Sequence, residues 1–158
     1  MRVGIIGYGV VGKTRYHSIL KNTSFQVTSI SENNSQAREE IPENIEVFNN
    51  YKSLIENANV DIVFISLPNK FAANATMLSL KKGLHVFCEK PPAKTLAQLA
   101  EVFLVSQQYP DLKLMYGFNH RFHHSVEHAK LIIEDNSLGR LINMRGVYGK
   151  SQMISFNQ

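Results

Sequence analysis

Cysteine is almost absent: Cys88 stands alone in 158 residues. A lone cysteine excludes a disulfide framework and a cysteine-built zinc site within the chain. Long apolar runs are missing too, and none approaches the ~18 residues that a membrane span requires. The opening stretch, Met1-Arg2-Val3-Gly4-Ile5-Ile6-Gly7, has too short an apolar segment to read as a secretory signal. Charge of one sign is scarce. Seventeen Lys and Arg against thirteen Asp and Glu leave +4, and no basic run concentrates that excess. Nucleic acid is therefore not an expected partner, and neither is a membrane. The expected setting is reducing and cytoplasmic. What remains is an ordinary globular composition, 44 % apolar and 19 % charged, at a length typical of one domain of ~100–200 residues.

Short β-branched runs alternate with helical patterns up to about residue 117. Val3-Gly4-Ile5-Ile6 is apolar throughout, as expected of a central parallel strand covered on both faces. Further strands are predicted at Gln26–Ser31, Ile45–Phe48, Asp61–Ile65, Leu84–Phe87 and Leu112–Tyr116. Helices are predicted at Val10–Lys21, Ser35–Ile41, Tyr51–Asn57, Ala72–Lys82 and from an N-cap at Thr95 to Gln108. Gly83 reads as a left-handed cap. Six strands separated by helical crossovers imply a parallel sheet with right-handed connections. The tail differs. Phe122–Asp135 has a helical pattern stopped by Asn136 and Gly139, and Leu141–Tyr148 alternates weakly, as one half-exposed strand would.

The segment Gly7-Tyr8-Gly9-Val10-Val11-Gly12-Lys13-Thr14 satisfies two motifs at once. It is G-x-G-x-x-G, and it is also G-x-x-x-x-G-K-[ST], the P-loop pattern. Both place a glycine turn between a strand and a helix whose N–H groups face a phosphate. In a dinucleotide fold, Gly7 makes the turn, Gly9 admits the pyrophosphate and Gly12 lets the helix pack on the strand. An acid should then follow about 20 residues on, and Glu32 stands there after Ile30-Ser31. The P-loop alternative needs Lys13 on the terminal phosphates, Thr14 on magnesium, and a strand ending in Asp. Asp61 begins its strand instead, and the strand ends in Ser66-Leu67-Pro68-Asn69. The strand ends favour the dinucleotide.

The glycine loop, Ile65-Ser66-Leu67-Pro68-Asn69, Glu89-Lys90-Pro91 and Gly117-Phe118-Asn119-His120-Arg121-Phe122 occur in this order and at these spacings. Together they resemble the glucose–fructose oxidoreductase / inositol dehydrogenase / MocA (Gfo/Idh/MocA) family of NAD(P)-dependent sugar oxidoreductases. The resemblance implies that Gly7, Gly9 and Gly12 line the pyrophosphate, with Tyr8, Val10 and Val11 of the same loop binding the cofactor, and that Glu32 holds the adenosine ribose. It implies that Ser66, Leu67, Pro68 and Asn69 border the cofactor. Glu89 and Lys90 would face the nicotinamide, with Lys90 as the catalytic lysine. Asn119 and Arg121 would sit near the entry to the active site, Asn119 among the cofactor-binding residues. In that family a second α/β domain supplies the substrate pocket with a D-x-G-x-H-x-x-D-like segment, which this sequence lacks.

The expected fold is thus α/β. A Rossmann doubly wound parallel sheet of order 3-2-1-4-5-6 occupies residues 1–118. Residues 119–158 are expected to hold a linker helix and the first strand of an incomplete substrate or oligomerisation domain, the start of a truncated second α/β domain. The expected cofactor is NAD, with NADP possible: Ser31 and Ser35 could bond a 2′-phosphate, but no Arg immediately follows Glu32. The expected partners are a small carbohydrate-like substrate and either a second copy or a completing chain that pairs through Leu141–Tyr148. A non-catalytic NAD(P)-sensing subunit is the rival reading of the same motifs. His124 and His128 have the i, i+4 spacing of helical zinc ligands, yet no third ligand accompanies them clearly, and no metal is expected.

Overall fold

A computed structural model describes residues 1–147 and residue 149. The chain divides into two compact units, residues 1–118 and 119–158. The first contains six strands, β1 (Arg2–Ile6), β2 (Gln26–Ser31), β3 (Glu46–Phe48), β4 (Ile62–Ile65), β5 (His85–Cys88) and β6 (Leu114–Tyr116). They pair in parallel in the order β3-β2-β1-β4-β5-β6. The helices between them are α1 (Val10–Ile19), α2 (Ser35–Glu39), α3 (Tyr51–Asn57), α4 (Asn69–Lys81) and α5 (Leu96–Gln107).

Successive side chains of a strand leave opposite faces of the sheet, and here both faces are covered. One apolar cluster joins Ile6, Val63, Ile65 and Val86 to Leu54 and Ile55 of α3 and to Ala72, Ala75 and Leu80 of α4. The other joins Val3, Ile5, Val27 and Ile30 to Ile19 of α1, with Tyr8 and Phe64 packed into it. This double burial explains why the central strands read as unbroken apolar runs. At their N-terminal ends, β1 and β4 are tied by Asp61. Its Oδ2 accepts the Arg2 N–H at 2.7 Å, and its Oδ1 lies 2.8 Å from the Arg2 guanidinium.

In the second unit, a 3-10 turn (Asn119–Phe122) precedes α6 (His124–Glu134). Asn136 and Gly139 adopt positive φ, 57° and 68°, and end it. The strand expected over Leu141–Tyr148 is corrected here: Leu141–Val147 forms none, and Tyr148 lies outside the described residues. A strand exists by virtue of its ladder, and no neighbouring strand pairs with this segment among the described residues. No helix among the described residues is long and apolar enough to cross a membrane.

Candidate functional site

A parallel sheet delivers the C-terminal end of every strand to one edge, and the loops there form the natural binding crevice. A crevice of about 370 Å³ occupies that edge, lined by Gly7, Gly9, Ser31, Glu32, Asn33, Asn49, Asn50, Tyr51, Ser66, Leu67, Pro68 and Phe71. The three glycines of the loop have three different surroundings. Gly7 turns the chain with φ +90°, and a Cβ on it would stand 2.8 Å from the Ser66 carbonyl oxygen. A Cβ on Gly12 would stand 2.0 Å from the Gly7 carbonyl oxygen, so α1 rests directly on the turn. Gly9 is open: no heavy atom lies within 4 Å of where its Cβ would be.

Gly9 is also the N-cap of α1 and offers no side chain to it. Elsewhere in this unit the caps are supplied. Asn34 accepts from Ala37 N–H, Asn50 from Ser53 N–H and Thr95 from Gln98 N–H. α1 and α4, which start beside the crevice at Gly9 and Pro68, have no side-chain cap. The first N–H groups of α1 therefore have no intrahelical acceptor and sit at the positive end of the helix dipole. No acidic side chain lies in its first turn to neutralise them. An anion is the complement of such a terminus. Val10 and Val11 are exposed there, whereas the Tyr8 ring is buried edge-on against Tyr16, 5.8 Å between centroids.

Glu32 joins the loop to the end of β2. Its Oε2 accepts the Tyr8 N–H at 2.7 Å, and its Oε1 accepts the Asn33 and Asn34 N–H groups at 2.8 and 2.9 Å. With about four acceptor positions on a carboxylate, room remains on Oε2 for a hydroxyl donor. Arg38 braces the same turn, donating to Asn33 O at 3.0 Å and Asn49 Oδ1 at 2.7 Å. Ser66 Oγ is buried at the crevice without a hydrogen-bond partner, a state that a bound polar ligand would relieve. Tyr51 and Phe71, ring centroids 6.4 Å apart, add an aromatic wall beside Leu67 and Pro68. Asn69 is the exposed first residue of α4.

Glu89 and Lys90, in the same unit, are not among the residues that line that cavity. Lys90 is exposed just beyond β5 and precedes a cis bond to Pro91. Glu89 before it does not face open solvent: its carboxylate is held by the Arg15 guanidinium and its side chain is 12 % exposed. Cys88 is buried, which pushes its thiol up to about 11. Asn119 belongs to the second unit, exposed in the 3-10 turn. His124 Nδ1 lies 3.6 Å from Glu127 Oε2, and no three metal-ligating side chains gather among the described residues.

The P-loop reading is corrected by the side chains it needs. Lys13 Nζ lies 2.5 Å from Glu40 Oε2, and Thr14 Oγ1 donates back to Val10 O at 2.9 Å. Sequence reasoning missed Arg15, Arg38, Tyr51 and Phe71. Tyr51 follows the C-terminal end of β3, so the rule that ligands gather beyond strand ends could have found it. Arg15 lies one turn after Gly12 on the inward stripe of α1, where a charge is out of place. Arg38 and Phe71 carry no such signal.

Comparison with known proteins agrees with this geometry. Residues 1–118 match the model of the Gfo/Idh/MocA oxidoreductase family, described as its NAD-binding Rossmann fold. Myo-inositol 2-dehydrogenase of Thermotoga maritima is 29 % identical over 143 residues, covering 89 % of this chain and 42 % of the relative. D-glucoside 3-dehydrogenase of Escherichia coli is 28 % identical over 145 residues, covering 89 % and 41 %. The crystal structure of scyllo-inositol dehydrogenase from Lactobacillus casei with bound NAD(H) and scyllo-inositol superimposes with a TM-score of 0.80. Its identity is 28 %, over 88 % of this chain and 42 % of that one. The chain thus spans about two fifths of the length of these relatives.

Proposed function

The chain belongs to the Gfo/Idh/MocA oxidoreductase family, and from that membership we propose that its crevice holds NAD as the cofactor half of a sugar- or inositol-type dehydrogenase. The observation that carries this reading is the uncapped N-terminus of α1, opening on the empty space beside Gly9. The residues fit the group: the amides of α1 suit a diphosphate, Glu32 a ribose diol, and the Tyr51–Phe71 wall a flat base. Glu32 also disfavours a 2′-phosphate by like charge, which supports NAD over NADP.

When bound, NAD supplies the acceptor for a hydride from a carbohydrate carbon. The chain's own residues bind and orient it. The proposed role of Lys90 is to take the proton of the substrate hydroxyl as that carbon is oxidised; its place beyond β5, with exposed side chain, supports this. The comparison with inositol and glucoside dehydrogenases supports a polyol or sugar as substrate.

The test is NAD reduction by the chain with inositols and glucosides as donors, followed by absorbance. NADH binding is expected of this chain alone, and polyol-dependent NAD reduction is expected once a completing substrate domain is supplied. Lys90→Met is expected to lower that reduction by about 10²–10⁴-fold, the range for loss of a general acid–base group. Unchanged turnover in Lys90→Met would remove the lysine from the chemistry. NADH binding without turnover on any polyol, with that domain supplied, would restrict the reading to a cofactor-binding module.

A further inference from the structure

The inward stripe of α1 runs Gly12, Arg15 and Tyr16, Ile19, and its ends are buried. An apolar residue is expected at position 15, because that face packs on the sheet. Arginine stands there, with its side chain only 21 % exposed. Its guanidinium carbon lies 5.1 Å from the Phe87 ring centroid, and Phe87 stacks on Phe64 at 5.0 Å. Its Nε and Nη2 both reach Glu89 Oε1, the former at 2.5 Å.

Glu89 is equally constrained from the other sides. Its N–H donates to Ile65 O at 2.9 Å, and the Gly117 N–H donates to Cys88 O at 2.9 Å, so the chain leaving β5 is laddered to both neighbouring strands. Its carboxylate lies over Gly117, where a Cβ would come within 2.9 Å of Oε2. A side chain at Gly117 would displace that carboxylate from its present place.

A largely buried ion pair is a poor source of stability, because desolvating both charges offsets most of their attraction. What such a pair does supply is a fixed geometry. This one joins the helix whose first amides face the crevice to the residue immediately before Lys90. We propose that Arg15 and Glu89 are positioning residues: their ion pair sets the Glu89-Lys90-Pro91 turn against α1, so that the nicotinamide half of the cofactor depends on it while the adenosine half does not. The proposal rests on the dinucleotide reading above. It moves Glu89 from a cofactor contact to a brace, and it adds Arg15, which the motifs do not include.

The experiment compares two ligands on the full chain. ADP-ribose carries the adenosine half and the diphosphate; NADH adds the nicotinamide, whose own fluorescence reports its surroundings. Affinities for both are measured by calorimetry on wild type, Arg15→Met, Arg15→Lys and the double variant Arg15→Met/Glu89→Leu. Arg15→Met is expected to leave ADP-ribose affinity within about twofold, weaken NADH about tenfold, and return nicotinamide emission towards that of free NADH. Arg15→Lys is expected to recover part of both NADH signals. The double variant replaces the pair by apolar side chains, which tolerates burial and keeps the fold testable if Arg15→Met alone unfolds; it too is expected to lose the emission change. Equal weakening of ADP-ribose and NADH, or wild-type emission in the double variant, would overturn the positioning role. Failure of wild type to bind ADP-ribose would instead overturn the dinucleotide reading, and this proposal with it.

Discussion

Gly9 and Gly12 lie three residues apart and tolerate a methyl group very differently. At Gly12 the added carbon meets backbone 2.0 Å away, so α1 must lift from the turn. Gly12→Ala is expected to lower stability by about 1–3 kcal/mol or more, read as a fall in Tm. At Gly9 the added carbon meets nothing. Gly9→Ala is expected to melt with wild type and yet lose NADH affinity about tenfold or more, because the methyl occupies the approach of the diphosphate. A Gly9→Ala protein binding NADH as wild type does would place the diphosphate elsewhere. The spacing of these glycines and of Glu32 was legible because each answers a local backbone demand. The Arg15–Glu89 pair was not, since its partners are 74 positions apart and no periodicity in the sequence joins them. Nor does the motif reveal that Glu32 already holds Tyr8, Asn33 and Asn34 before any ligand is considered.

At the scale of elements, strand and helix types followed from the alternation of apolar runs, while their edges did not. The fourth helix starts at Asn69 and not at Ala72, because Pro68, at φ −53°, suits the entrance to a helix. The outermost strands β3 and β6 each keep three residues, shorter than the predicted Ile45–Phe48 and Leu112–Tyr116, and each pairs on one side only. The weak alternation after Leu141 shows the limit of periodicity: without a ladder partner it made no strand. The central strands carry a pH-dependent tie at their far end. Arg2, by hydrogen bonds from its guanidinium and its backbone, lowers the Asp61 carboxyl from 3.8 to about 2. A lowered folded value means that the contribution is present above pH ~3.8, the unfolded value, and fades as pH falls through about 2. Asp61→Asn is therefore expected to melt below wild type at neutral pH, with the gap closing between pH 4 and pH 2. A gap that stays constant over that range would show that the ionised carboxylate contributes nothing. Both side chains are partly exposed, so the difference is expected to be small and weakened by salt.

For the whole molecule, the strand order brings the glycine loop, Glu32 and the Ser66–Asn69 segment to one edge of the sheet, and that convergence was readable once six strands were recognised. The aromatic wall was harder to foresee, since Tyr51 and Phe71 approach from different crossovers. Every reading of chemistry rests on which phosphate-bearing ligand the first helix receives. The most direct measurement is calorimetric titration of the full chain with NADH, repeated in the presence of ADP-ribose and of ATP–magnesium. The expected result is saturable NADH binding with Kd on the order of micromolar, about −8 kcal/mol, competed by ADP-ribose and indifferent to Lys13→Ala. Silence towards NADH together with tight ATP–magnesium binding that Lys13→Ala abolishes would contradict it.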